Sequence, residues 1–117
     1  MAHIFTFHNA PSNFLELIKD AFSPSIFQYI AHFEKLDGLH FESFYYAPVI
    51  DELCVMATYS GYEFKIEMAW GGDLDLIAAE SVPDKIFETV CNHMKSYRRI
   101  GFKELSIAKK RYMQLNA

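Results

Sequence analysis

LCVMATYSGYEFKIEMAWGGDLDLIAA, residues 53–79, is the stretch that decides the fold. Two alternating runs, 53–59 and 62–70, flank Ser60-Gly61. A two-residue loop there pairs Tyr59 with Tyr62, Ala57 with Phe64, Val55 with Ile66 and Leu53 with Met68. Every pair is apolar or aromatic. Turn chemistry and side-chain pattern therefore agree on one apolar face, which predicts a β-hairpin.

Gly71-Gly72 poses the next question: a turn, or the lip of a pocket. A two-residue loop would pair Trp70 with Asp73 and Met68 with Asp75, placing carboxylates in the aromatic face at a high desolvation cost. A three-residue loop, Gly71-Gly72-Asp73, pairs Trp70 with Leu74, Met68 with Leu76 and Ile66 with Ala78, and the face stays apolar. Such loops need a left-handed residue, which glycine supplies. The stretch is accordingly expected to be a turn. It lacks the Walker lysine and the GxGxxG spacing, and it runs into a strand rather than a helix N-terminus, which argues against a phosphate loop.

Working outward, residues 3–8 and 39–47 read as strands and 48–52, PVIDE, as a loop. Phe14, Leu17, Ile18, Ala21 and Phe22 recur at helical spacing behind Asn13 and Glu16, a capping-box pair. Ser23 and Pro24 start a second helix with the stripe Ile26, Phe27, Ile30 and Phe33, and Gly38 suits its end. Residues 81–101 predict a helix capped by Ser81, with Pro83 and Asp84 in its first turn and Arg98 and Arg99 in its last. Its buried stripe is Ile86, Phe87, Val90, Cys91, Met94 and Tyr97. Residues 102–117 read as a further basic helix. The expected fold class is α+β: an antiparallel sheet of about four to five strands with helices packed on one face, in the order β-α-α-β-β-β-β-α-(α). Its 117 residues fit a single domain.

Hydrophobic residues make up 51% and aromatics 16% of the chain, ample for a core. Two cysteines, Cys54 and Cys91, are too few for a disulfide framework. The first residues lack the basic and long apolar regions of a signal peptide, and no apolar run approaches the ~20 residues of a membrane span. A cytoplasmic protein with reduced thiols and no membrane attachment is expected.

Catalytic patterns are weak. Glu63 and Glu67 share a strand face ~13 Å apart, at ~3.3 Å per residue, too far for a glycosidase-type pair. His3, His8, His32, His40 and His93 are scattered, with no HxH, HExxH or CxxC motif, so no metal site is expected. Cys91 falls on an apolar stripe. Cys54 lies opposite Glu67, whose charge would raise a thiol pKa, the wrong direction for a nucleophile. No catalytic residue and no cofactor is expected. Direct nucleic-acid binding is disfavoured by the net charge of −4, despite a basic C-terminal stretch.

That net charge is unevenly laid out. Residues 37–80 carry nine acids against one base, Lys65, whereas residues 81–117 carry three acids against eight bases. Either an acidic sheet surface faces basic helices within the molecule, or an acidic face is kept for a basic partner. In overall character (small, acidic, aromatic-rich, α+β and without a catalytic motif) the chain resembles bacterial toxin-immunity proteins, including those of contact-dependent inhibition systems. The resemblance implies a non-enzymatic protein-binding module that neutralises a basic toxin, commonly a nuclease, through acidic groups. The candidate partner-binding residues are Asp51, Glu52, Glu63, Glu67, Asp73 and Asp75. Two alternatives stand beside it. One is a small-ligand domain with an aromatic pocket between sheet and helices; the other is a carboxylate- or metal-dependent enzyme using the sheet acids. A homodimer through a strand edge or aromatic patch is also compatible with the sequence.

Overall fold

A computed structural model describes residues 2–8, 26–47, 52–68 and 73–115. Five strands form one antiparallel sheet: β1 (His3–His8), β2 (His40–Ala47), β3 (Glu52–Tyr59), β4 (Tyr62–Met68) and β5 (Leu74–Ala78). The spatial order is β1-β5-β4-β3-β2. Strands β2 to β5 thus form a meander, and β1 is added at its far edge. Three helices complete the described chain: α1 (Ile26–Glu34), α2 (Asp84–Lys95) and α3 (Phe102–Gln114). The expected α+β class is what the molecule adopts. The helix expected around residues 13–22 lies outside the described residues, as do Asp51, Trp70, Gly71 and Gly72.

The central hairpin has the predicted register: Tyr59 pairs with Tyr62, Ala57 with Phe64 and Val55 with Ile66. Ser60 (φ 55°) and Gly61 (φ 81°) are both left-handed, as a type I′ turn requires. The β4–β5 register needs a correction. Met68 pairs with Leu74, Ile66 with Leu76 and Phe64 with Ala78, two residues away from the pairing that a Gly71-Gly72-Asp73 loop would give. A slip of two keeps every side chain on its own face, so the apolar pattern satisfies both registers equally.

One face of the sheet builds the core. Leu53, Val55, Ala57, Phe64, Ile66, Leu74, Leu76 and Ala78 are all buried there with Phe44. The helices close over this face. From α1, Phe27 meets Phe44 at 5.9 Å. From α2, Phe87 stacks on His3 at 4.7 Å. From α3, Tyr112 lies 5.4 Å from both Phe41 and Phe44. Burial of this apolar surface is the main stabilising term.

Helix α2 is shorter than expected. Ser81 makes no cap, Pro83 occupies that position without a side-chain bond, and the helix stops at Lys95. Ser96 closes it by donating its Oγ–H to the His93 carbonyl at 2.7 Å. Residues 97–100 then leave the helical path because α1 captures their backbone. The Ile100 N–H donates to Gln28 Oε1 at 2.9 Å, and Gln28 Nε2 donates to the Ile100 carbonyl at 3.1 Å. Tyr97, Arg98 and Arg99 therefore sit on a connector rather than in a last helical turn.

Candidate protein-interaction surface

Strand alternation sends the second set of side chains to the opposite, outer face of the sheet. All described helices lie on the inner side, so none of them covers this face. Two rows cross it. Thr6, Asp75, Glu67, Cys54 and Tyr45 follow the strand pairing in one row; Ile4, Ile77, Lys65, Met56 and Ser43 follow it in the next. Glu63, paired with Thr58, lies beyond the second row. The face thus mixes apolar side chains (Ile4 beside Ile77, Met56, Cys54) with the carboxylates Glu63, Glu67 and Asp75, and Lys65 stands between Ile77 and Met56. A shallow groove of about 430 Å³ follows it, lined in part by Cys54, Met56, Glu63, Lys65 and Ile77.

Three of the predicted site acids, Glu63, Glu67 and Asp75, share this face. Glu67 and Asp75 sit directly opposite each other across the β4–β5 pair. The sequence-derived register would have set Asp75 against Ala69 instead. Like charges directly opposite on a sheet are destabilising. Each is held by a neighbour: Lys65 Nζ contacts Glu67 Oε2 at 2.9 Å, and Thr6 Oγ1 donates to Asp75. The bond to Glu67 also raises the Lys65 pKa. Glu63 is exposed and makes no ion pair among the described residues. Glu52 is exposed at the start of β3, and Asp73 is partly buried just before β5.

Among the described residues, no helix side chain pairs with Glu63, Glu67 or Asp75. The basic α3 packs against the inner face, one sheet thickness away. Its own ion pairs run to the end of α1 and the residue after it: Arg111 to Glu34, and Lys35 to Glu104 at 3.1 Å. Among the described residues, Glu63, Glu67 and Asp75 with Lys65 therefore lie on one side of the sheet, and the basic α3 lies on the other.

Both thiols sit where burial favours the protonated form. Burial pushes the Cys54 pKa up, and Glu67 adds to the shift against an opposing pull from Lys65. Burial does the same at Cys91. Among the described residues, no group of three or more His, Cys, Asp or Glu side chains is placed to hold a metal ion. Between sheet and helices, aromatic side chains pack on one another, with Phe27 against Tyr46 at 5.0 Å and Phe33 against Phe41 at 5.8 Å.

Sequence reading missed the apolar half of the outer surface. Ile4 is 62% exposed and Tyr45 46% exposed. Their signal is the register, which places Ile4 beside Ile77 and Tyr45 beside Cys54. In comparisons with family models, curated proteins and solved structures, none matches this chain.

Proposed function

We propose that the chain is a non-enzymatic binding module whose outer sheet face docks a basic protein, and that it acts as an immunity protein against a basic toxin, a nuclease being the toxin class with the complementary charge. One observation carries the reading: Glu67 and Asp75 oppose each other on a sheet face that no described helix covers. A local rule of sheet stability is broken there, only partly offset by Lys65 beside Glu67 and Thr6 beside Asp75, and such exceptions concentrate at functional sites. A basic partner would relieve the repulsion. The exposed Ile4 and Tyr45 would give the contact its apolar anchors, while the acids steer the encounter.

The test uses the full chain as bait in an extract of its source cells, washed at low and high salt. A stoichiometric basic protein released by salt is expected, toxic when expressed alone and silenced by co-expression. Glu63→Lys with Glu67→Lys should abolish capture while shifting thermal stability little, because one site is exposed and the other half-exposed. Capture that survives this double reversal would remove the sheet face as the interface. A captured protein without toxicity would leave the docking face standing and remove the immunity role.

A further inference from the structure

Six large apolar side chains are exposed among the described residues, and they fall on two surfaces. Ile4 and Tyr45 lie on the acidic sheet face. Phe102, Ile107, Met113 and Leu115 belong to α3 or its end. Phe102 is 83% and Ile107 68% exposed, values more typical of a loop charge than of a helical phenylalanine or isoleucine.

The second surface has its own pattern. Ala108 and Tyr112 are the buried residues of α3 and mark its inward side. On the other side, Lys103, Ile107, Lys110 and Gln114 recur at steps of four, three and four, which makes them one exposed stripe. Phe102 and Met113 flank it. Glu104, the acid of α3, is turned to Lys35 at 3.1 Å. Lys109 lies over the Phe27 ring at 4.6 Å, and Arg111 is paired with Glu34. Lys103 and Lys110 make no ion pair among the described residues. The outward stripe is therefore basic and apolar, without an acid. It complements the sheet face, where three acids, Glu63, Glu67 and Asp75, stand with apolar side chains against one base, Lys65.

We infer that α3 of one copy docks across the outer sheet face of a second copy, so that the chain assembles head to tail. The inference rests on the reading of the sheet face as a docking surface. Lys103 and Lys110 would meet Glu63, Glu67 and Asp75, while Phe102 and Ile107 would meet Ile4, Ile77 and Met56. The dimensions agree: thirteen helical residues span ~20 Å at ~1.5 Å each, and five strands at ~4.8 Å spacing present a similar width. The product is a helix–sheet–helix layering, the usual way to bury both faces of a sheet. Because the two surfaces differ, the contact is heterologous, and it propagates or closes into a ring rather than stopping at a two-fold dimer. It also occupies the acids that a basic partner needs, so assembly and partner binding compete.

Sedimentation over a concentration series of the full chain tests this. At low salt the average mass should rise beyond a dimer, and added salt should return it to the monomer. Lys103→Glu with Lys110→Glu should weaken assembly at least roughly tenfold, since like charges then face each other. Glu63→Lys with Glu67→Lys should do the same. Mixing the two variants should restore association, because the acidic helix of one now matches the basic sheet of the other. Circular dichroism on each variant verifies folding at these surface positions. A wild-type chain that stays monomeric at low salt, a dimer indifferent to both double reversals, or a mixture that fails to associate would each overturn the proposal. So would a monomer whose α3 instead binds vesicles of anionic phospholipid. The α3 variant still exposes the intact sheet face, so retained capture of the basic partner by it separates failure of self-docking from failure of the sheet-face reading.

Discussion

The imidazoles of His32 and His93 stack face to face, 4.1 Å between centroids and 3° between planes. Each Nε2–H donates to the backbone carbonyl of the other residue, His32 to His93 at 2.6 Å and His93 to His32 at 2.5 Å. The Arg98 N–H donates to His32 Nδ1 at 3.4 Å. Both His32 nitrogens are thus engaged in its neutral form. This clasp ties the end of α1 to the end of α2 and to the connector after it. Protonation would place a hydrogen on Nδ1, facing the Arg98 N–H.

Acid should loosen the clasp. Burial lowers the His32 pKa below its ordinary value of 6.5, and the His93 and Lys35 charges lower it further against the raising effect of the bond to the His93 carbonyl. A lowered folded-state pKa means that the unfolded chain takes up the proton first. The stabilisation is therefore complete above pH 6.5 and declines as pH falls below that value. Urea unfolding at about pH 7.5 and about pH 5 should show a drop in midpoint for the wild type. His32→Phe, which keeps a stacked ring, should show a smaller drop. Parallel drops in both proteins would assign the sensitivity elsewhere.

Gln28 carries a second tie between α1 and the connector, buried and bonded to both backbone groups of Ile100. Gln28→Met keeps the volume and strands an N–H and a carbonyl. A loss of about 2 kcal/mol is expected by urea unfolding, because buried unpaired polar groups cost about 1–3 kcal/mol.

Tyr112 is fully buried, and its hydroxyl donates to Glu34 Oε1 at 3.0 Å. Burial and the Glu34 carboxylate hold its phenol pKa far above the ordinary value. Tyr112→Phe should cost only about 1 kcal/mol, since Arg111 still holds Glu34. Tyr112→Ala should cost about 3–5 kcal/mol through the cavity beside Phe41 and Phe44. Similar losses for both variants in denaturant titrations would mean that the hydrogen bond, not the ring, anchors α3.

Gly61 has φ 81°, yet a Cβ there would meet nothing within 4 Å. Gly61→Ala therefore isolates backbone strain, expected at about 1–2 kcal/mol. Ser60, also left-handed, should accept asparagine with a small gain in melting temperature.

Asp75→Lys separates structure from function on the sheet face. Opposite Glu67 it replaces repulsion by attraction and should stabilise the sheet by about 0.2–1 kcal/mol. The same change should weaken capture of the basic partner. A variant that loses stability would show that Asp75 serves the fold through Thr6 rather than a partner.

What the sequence determined by itself was everything that periodicity and turn chemistry encode. Strand β1, the hairpin at Ser60-Gly61, the stripe of α1 and the meander all follow from local pattern. So does the shared outer face of Glu63, Glu67 and Asp75. Only the tertiary structure decided what depends on a shift of two or on distant backbone. The β4–β5 register set Glu67 against Asp75, and a period-two pattern does not distinguish that pairing from its neighbour. Helix α2 stops at Lys95 because Gln28 and His32, more than sixty residues earlier in the chain, bind the backbone that would have continued it. The placement of Glu63, Glu67 and Asp75 on one side of the sheet and of α3 on the other was equally invisible: charge counts along a chain carry no information about which side of a sheet each segment faces.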